Sequence, residues 1–339
     1  MGNITVLGVD LAKSVFHLHG VDQQGKVVLK KRLDREKMLP FFANLPPCLI
    51  GLEACSSSHY WAREIRKLGH DVRLMNPIFV KPYVKNDKND YNDAEGICEA
   101  VSRPSMRFVP IKTVTQQDIQ ALHRVRSQLI QERTALANQT RGLLGEYGIV
   151  IGRGIGHLRT RLPSILDDAD NQLTEIGRGL FSEQYHRMVE FDDKIAAIDN
   201  RIETLFKNDR LCMKIEKIPG ISKLTVTAIL AAVGDGHEFR NGRQMAVWLG
   251  LVPRQNSTGG KTRLGGISKR GDSYLRTLLI HGARSVVYRA IKKDDPRSQW
   301  INSVRARRGE NVACVALANK NARIIWAMMV NEQEYRIAA

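Results

Sequence analysis

Apolar residues in the first hundred positions fall into short runs separated by turn residues. Residues 4–10 form a β-branched and apolar run, 15–21 alternate, and 25–32 follow after Asp22 and Gly25. This pattern predicts three consecutive strands joined by tight turns. Asp34 is placed to cap a helix reaching residue 45, which Pro46 and Pro47 stop; residues 48–54 then read as a buried strand. A helix over 59–68, a strand over 72–75, the Asn76-Pro77 break, a polar loop and a helix carrying 90–100 complete the region. From 115 to 147 the pattern turns helical, with Leu122, Leu129, Leu136 and Leu143 seven apart. A second set, Met188, Phe191, Ile195, Ile198, Ile202 and Leu205, follows at 3-4-3-4-3 spacing, and a Gly-rich turn over 148–156 lies between, with shorter helices filling the way to 183. An intramolecular helical hairpin and a coiled coil linking protomers both fit these two helices.

The order βββαβαβα is that of the ribonuclease H fold, a mixed sheet with helices packed on it. After Asn208 the composition changes. Ile218-Pro219-Gly220-Ile221-Ser222 followed by 224–232 has the form of a helix-hairpin-helix, in which a turn at a helix start offers backbone N–H groups to a phosphate. A short Pro-Gly turn between helices explains the same residues without a ligand, and Ser222 reads as a cap. Residues 250–261 read as a loop, with Gly265 to Asp272 following before a helix that begins near Tyr274.

A length of 339 residues, 43% hydrophobic, accommodates two compact domains and a helical connector. The 52 Lys and Arg against 35 Asp and Glu give +17, a balance that points to a polyanionic partner, nucleic acid first. The first hundred residues hold 14 basic and 12 acidic groups, so nearly all the excess lies beyond them. Cys48, Cys55, Cys98, Cys212 and Cys314 have neither CxxC nor Cys/His spacing, which argues against a zinc site or a disulfide framework. No stretch approaches the ~20 apolar residues needed to span a bilayer, and a cytoplasmic location is expected.

Asp10 ends the first strand and Glu53 ends the fourth, which this strand order places beside the first. Asp90 and Asp93, three apart on one helix, share a face. Converging carboxylates suit Mg²⁺, a hard cation shared between carboxylates, waters and phosphate, and two such ions ~3.5–4 Å apart serve phosphoryl transfer. Each acid taken singly is equally a strand-end or solvated-face residue; the four together with the strand order favour catalysis. Asp87 repeats the three-residue spacing and is a second-choice ligand. His17 and His19 are expected to point one inward and one outward, with no catalytic role.

Seven basic residues against one acid, Asp272, lie between Arg254 and Arg284, enough to neutralise several phosphates and to stabilise charge beside an exposed serine. The chain here resembles the insertion sequence 110 family of transposases, in particular the insertion sequence 1111 subgroup. The resemblance covers essentially the whole length. It rests on Gly-Val-Asp10, Gly-Leu-Glu53-Ala, Asn-Asp90-x-x-Asp93-Ala-x-x-Ile97, and Gly-Leu-Val-Pro…Ser257-Thr-Gly-Gly-Lys…Gly-Ile-Ser-Lys-Arg-Gly-Asp…Leu-Arg.

The resemblance implies a RuvC-like ribonuclease H domain over 1–110 bearing an Asp-Glu-Asp-Asp tetrad (Asp10, Glu53, Asp90, Asp93) for Mg²⁺ or Mn²⁺. The heptads suggest a helical coiled-coil connector over 111–210, and the resemblance implies a mainly α transposase domain over 211–339 whose serine forms a transient phosphoserine link to DNA. It further implies a dimer or tetramer, double-stranded DNA of element ends and target, a guide RNA from the element's noncoding end, and a nucleoid-associated cytoplasmic protein. The nucleic-acid contacts expected are Gly220, Ser222, Arg254, Lys261, Arg263, Lys269, Arg270 and Arg276. In other branches the nucleophilic serine directly precedes a glycine; here Thr258 stands there and Ser257 one residue earlier. Ser257 is the expected nucleophile because threonine is more hindered, with Thr258 the alternative; Ser268 reads as a helix-entry or phosphate-contacting residue. An endonuclease using metal-activated water needs no Ser257, and a non-catalytic nucleic-acid scaffold needs neither Asp10 nor Glu53. The missing Gly-x-x-x-x-Gly-Lys-Ser/Thr motif accords with ATP-free chemistry.

Overall fold

A computed structural model describes residues 3–85, 89–331 and 333–335. The chain divides into two compact units, Met1–Thr113 and Val114–Ala339.

The first unit is built on a six-stranded mixed sheet. Its strands are β1 (Val6–Leu11), β2 (Val15–Val21), β3 (Val27–Asp34), β4 (Leu49–Glu53), β5 (Asp71–Met75) and β6 (Phe108–Val109), in the order β3-β2-β1-β4-β5-β6. β2 pairs antiparallel with both β1 and β3, β1, β4 and β5 are parallel, and β6 returns antiparallel to β5. Asp22 makes the β2–β3 turn by accepting from the Gln24 and Lys26 amides, and Gly25 supplies a φ of 78°. The central strands β1 and β4 are buried nearly throughout, as parallel neighbours covered on both faces must be. Edge strand β3 carries Lys30, Lys31 and Arg32, charges that discourage further strand addition. The chain also forms α1 (Met38–Ala43), α2 (Ser58–Lys67), α3 (Pro77–Val80) and α4 (Asp90–Val101). Residues 35–37, expected to open the first helix, form a 3₁₀ turn instead. Strand β6, two residues long, carries too short a pattern to be read from sequence.

Gly8 and Gly51 decide how α4 lies on the sheet. A Cβ on Gly8 would overlap the Ala94 carbonyl and the Cys98 amide of α4; one on Gly51 would sit 2.8 Å from Val101. The helix therefore rests backbone to backbone on β1. Ile97, Ala100 and Val101 are buried beneath it with Met75 and Val80.

Among its described residues, the second unit is helical apart from one hairpin. The long helices α5 (Val114–Gly145) and α7 (Glu175–Lys207) pack on each other with α6 (Ile155–Asp167) between them in sequence. Ion pairs Arg126–Asp199 and Arg133–Asp192 show that they run antiparallel. The seven-residue leucine ladder does not map onto one buried stripe. Leu136 is buried but Leu143 is 40% exposed, and the buried face is Leu136, Ala137, Thr140 and Leu144, because a straight helix drifts about 20° per heptad. Then come α8 (Arg210–Glu216), α9 (Lys223–Val233), α10 (Gly242–Trp248), the strands β7 (Pro253–Thr258) and β8 (Lys261–Ile267), α11 (Ser273–Arg289), α12 (Pro296–Arg308) and α13 (Glu310–Asn331). A single apolar core runs through α8–α13, with Ile229, Leu279, Ala283, Leu317 and Ile325 among its members. Among the described residues no helix is long and apolar enough to cross a membrane.

Candidate active site

In the first unit, parallel pairing of Val9 with Leu52 brings Asp10 and Glu53 to the same end of adjacent strands. The backbone contact at Gly8 brings the start of α4 over that end. Asn89 caps α4, its side chain accepting from the Tyr91 amide and its carbonyl from the Asp93 amide. Asp90 and Asp93 therefore occupy the first turn, where the helix dipole favours negative charge. Carboxylate oxygens of Asp10, Asp90 and Asp93 all lie within 4.8 Å of one another. Burial pushes the half-buried Glu53 carboxyl above its ordinary range, and the negative charges of Asp10 and Asp93 push it further. Asp87 lies outside the described residues.

This donor set fits a hard divalent cation. The clustered carboxylates of Asp10, Asp90 and Asp93 repel each other when ionised, and an ion with oxygen ligands relieves that repulsion.

His17 and His19 both turn inward, against the expectation that one would face out. Residues two apart on a strand share a face, and both rings are buried under α4. The antiparallel register sets His17 directly across from Asp10. Its Nδ1 lies 3.6 Å from Asp90 Oδ2, and Tyr91 packs on its ring. His17 is a residue of the site's surroundings that sequence reading set aside.

In the second unit, the loop expected over 250–261 gives way to a two-stranded ribbon formed by Pro253–Thr258 and Lys261–Ile267. Ser257 pairs with Thr262 and Thr258 with Lys261 around a Gly259-Gly260 turn, both glycines having positive φ. The pleat places Ser257 with Gln255, Thr262 and Leu264 on one face; Thr258, Asn256, Lys261 and Arg263 share the other. Ser257 Oγ accepts from Gln255 Nε2 at 2.8 Å. The strands β7 and β8 are exposed along almost their whole length. At the ribbon's base a groove of about 650 Å³ is lined by Arg254, Asn256, Arg263, Ser268 and Arg270.

The glycines flanking the ribbon are explained by close backbone crossings. Gly250 (φ 71°) lies against the Arg270 carbonyl and Gly271 (φ 83°) against that of Trp248, positions where any Cβ would collide. Ser268 and Lys269 donate amides to Val252 and Gly250 carbonyls, and Lys269 itself adopts a φ of 54°. Arg276 donates from Nη1 to the Leu249 and Arg270 carbonyls, holding the first turn of α11 to this crossing. Lys261 and Lys269 are exposed.

The Gly220 turn between α8 and α9 is a second crossing. Gly220 has a φ of 88°, and its carbonyl approaches Gly282 of α11 so closely that neither position admits a side chain. Fully buried Asn321 donates to the Pro219 carbonyl, a tie no local motif announces. Ser222 caps α9 by accepting from the Thr225 amide.

Known proteins resemble the chain across both units. The family model described as "Transposase IS116/IS110/IS902 family" matches residues 212–299, and the IS110-type DEDD model described as "Transposase" matches 7–149. The "Probable family 20 transposase" of Pseudomonas aeruginosa is 50% identical over 98% of this chain and 99% of its own length. The "Transposase for insertion sequence element IS1111A" of Coxiella burnetii is 44% identical over 100% and 93%, and the "Transposase for insertion sequence element IS1328" of Yersinia enterocolitica 40% identical over 97% of each chain. With relatives this similar end to end, the chain belongs to the IS116/IS110/IS902 family of transposases.

Proposed function

We propose that this protein breaks and rejoins the DNA of an insertion sequence, with Asp10, Glu53, Asp90 and Asp93 as the metal-binding carboxylates and Ser257 as the nucleophile. The observation that carries the reading is the gathering of Asp10, Asp90 and Asp93 oxygens within 4.8 Å at the strand ends. In this reading the first domain, 1–110, is a RuvC-like ribonuclease H fold, 111–210 is a helical coiled-coil connector, and 211–339 is the transposase domain. Bound Mg²⁺ or Mn²⁺ supplies charge stabilisation for the attacking and leaving oxygens of the phosphoryl group. The carboxylates hold that charge in place. Ser257 Oγ forms a bond to phosphorus while the bond to the leaving strand's oxygen breaks; the serine gives up its proton and the departing oxygen gains one. Attack by a strand hydroxyl on the phosphoserine restores Ser257, so the phosphodiester's energy is conserved and no nucleotide triphosphate is consumed. Arg254, Lys261, Arg263, Lys269 and Arg270 contact the DNA backbone, with Gly220, Ser222 and Arg276 supporting nearby turns and contacts. A guide RNA selects element and target DNA, and the protein works as a homo-oligomer, a dimer or tetramer.

A second nucleophile is favoured by one observation: Thr258, not Ser257, shares a ribbon face with Lys261 and Arg263. Protein, Mg²⁺, labelled element-end DNA and the adjacent noncoding RNA, resolved on a denaturing gel, separate the readings. A covalent protein–DNA band lost in Ser257→Ala and in Asp10→Ala but kept in Thr258→Ala is the expected result. Loss in Thr258→Ala alone assigns the threonine. Cleavage without a covalent band, indifferent to both hydroxyls, leaves metal-activated water as the nucleophile.

A further inference from the structure

The β1–β2 register does more than bury His17. Because Asp10 and His17 are direct cross-strand partners, their side chains emerge on one face, the face that α4 covers. The His17 side chain, 11% exposed, meets the Tyr91 ring edge to face at 4.6 Å, which fixes it between β2 and the first turn of α4. Its Nδ1 then stands 3.6 Å from Asp90 Oδ2, just beyond hydrogen-bond length. Asp90 needs such a neighbour more than the other acids do. Its side chain is 62% exposed at the first residue of the helix, where a carboxylate has rotamer freedom to lose before it can bind an ion.

We propose that His17 is a positioning residue, whose ring N–H steers the Asp90 carboxylate toward Asp10 and Asp93 so that a divalent cation meets ligands already arranged. This rests on the carboxylate assignment above and adds a residue to it. A partner behind a ligating carboxylate fixes its orientation, and losing one typically weakens metal binding by about 10- to 100-fold. His19 provides an internal control. It lies on the same strand and face, but its Nδ1 is 3.9 Å from Glu95 Oε2, a carboxylate that also has Lys30 Nζ at 3.8 Å and lies farther along α4 from the acid cluster.

Calorimetric titration of Mn²⁺ into the full-length protein without nucleic acid tests this, alongside the metal-free unfolding midpoint of each variant. His17→Phe keeps the ring against Tyr91 and removes the N–H; it is expected to bind Mn²⁺ about tenfold or more weakly. His17→Asn, which retains a donor near the Nδ1 position, is expected to stay within about threefold of the parent, and His19→Asn to match it. If His17→Phe does not fold, His17→Gln, whose amide lies one bond farther out, takes its place with the same expected loss. Unchanged affinity in His17→Phe overturns the proposal, as does an equal loss in His17→Phe and His17→Asn, the mark of a packing role. Binding that survives Asp10→Ala overturns the carboxylate assignment itself, a failure separate from that of His17.

Discussion

The acid cluster and the serine ribbon are held in opposite ways. Asp10 and Glu53 end strands paired on both sides, and α4 is locked onto β1 by a contact that admits no side chain at Gly8. Ser257 and Thr258 end β7, which pairs only with β8; the two strands are exposed almost throughout and fixed to the body at the Gly250–Arg270 crossing. A two-stranded ribbon is marginally stable by itself. On the proposed assignment, the backbone positions of the acids are set by the fold, whereas the hydroxyls ride on an element that nucleic acid would order on contact.

The strongest way to break this contrast is at Gly8. Replacing it with Val drives a side chain into the α4 backbone and is expected to cost more than about 4 kcal/mol, measured by urea unfolding, with loss of Mn²⁺ binding. Next is His123, buried in the helical unit between Tyr274 Oη (3.0 Å) and Thr227 Oγ1 (3.1 Å), where burial, aided by Arg126, lowers its pKa to about 4. A histidine lowered on folding stays neutral in the native state while the unfolded chain takes up protons, so stability falls as pH drops from about 6.5 toward 4. That loss is about 3 kcal/mol, and denaturation curves at pH 7 and 4.5 are expected to show most of it missing in His123→Gln. A smaller effect belongs to Glu53, raised by burial and by Asp10 and Asp93. Its contribution is favourable below its unfolded pKa and is lost as pH rises through the folded one. Glu53→Gln is therefore expected to raise the metal-free melting temperature at pH 8, less at pH 4, while abolishing the covalent adduct. Least affected is the ribbon: Leu264→Ser and Thr262→Ala are expected to stay within about 0.5 kcal/mol of the parent in the same urea assay.

What the sequence reveals follows the same divide. Strands β1, β2, β4 and β5 are legible because packing imposes an apolar pattern, and Asp10 and Glu53 stand out as acids interrupting it. Asp90 and Asp93 are legible as a pair by helical spacing. The ribbon is not, because Pro253 to Ile267 faces solvent on both sides and hydrophobicity leaves no period in it. His17 is concealed by its strand position: residues two apart share a face, so the burial of His19 carries His17 inward with it. Gly220, Gly250 and Gly271 look like features for approaching DNA, yet each is already required by another segment of the same chain. Asn321 and its tie to Pro219, a hundred residues away, leave no local trace.

The pleat of the ribbon also makes a residue's parity a matter of register. Ser257 and Thr258 stand back to back, so a one-residue slip of β7 against β8 exchanges which hydroxyl faces a given side, whereas a residue added at the irregularity between Pro253 and Gln255 is taken up there and leaves both hydroxyls facing as before. Under the proposed assignment, strand register decides which of the two oxygens faces the phosphate, with the helical scaffold unchanged.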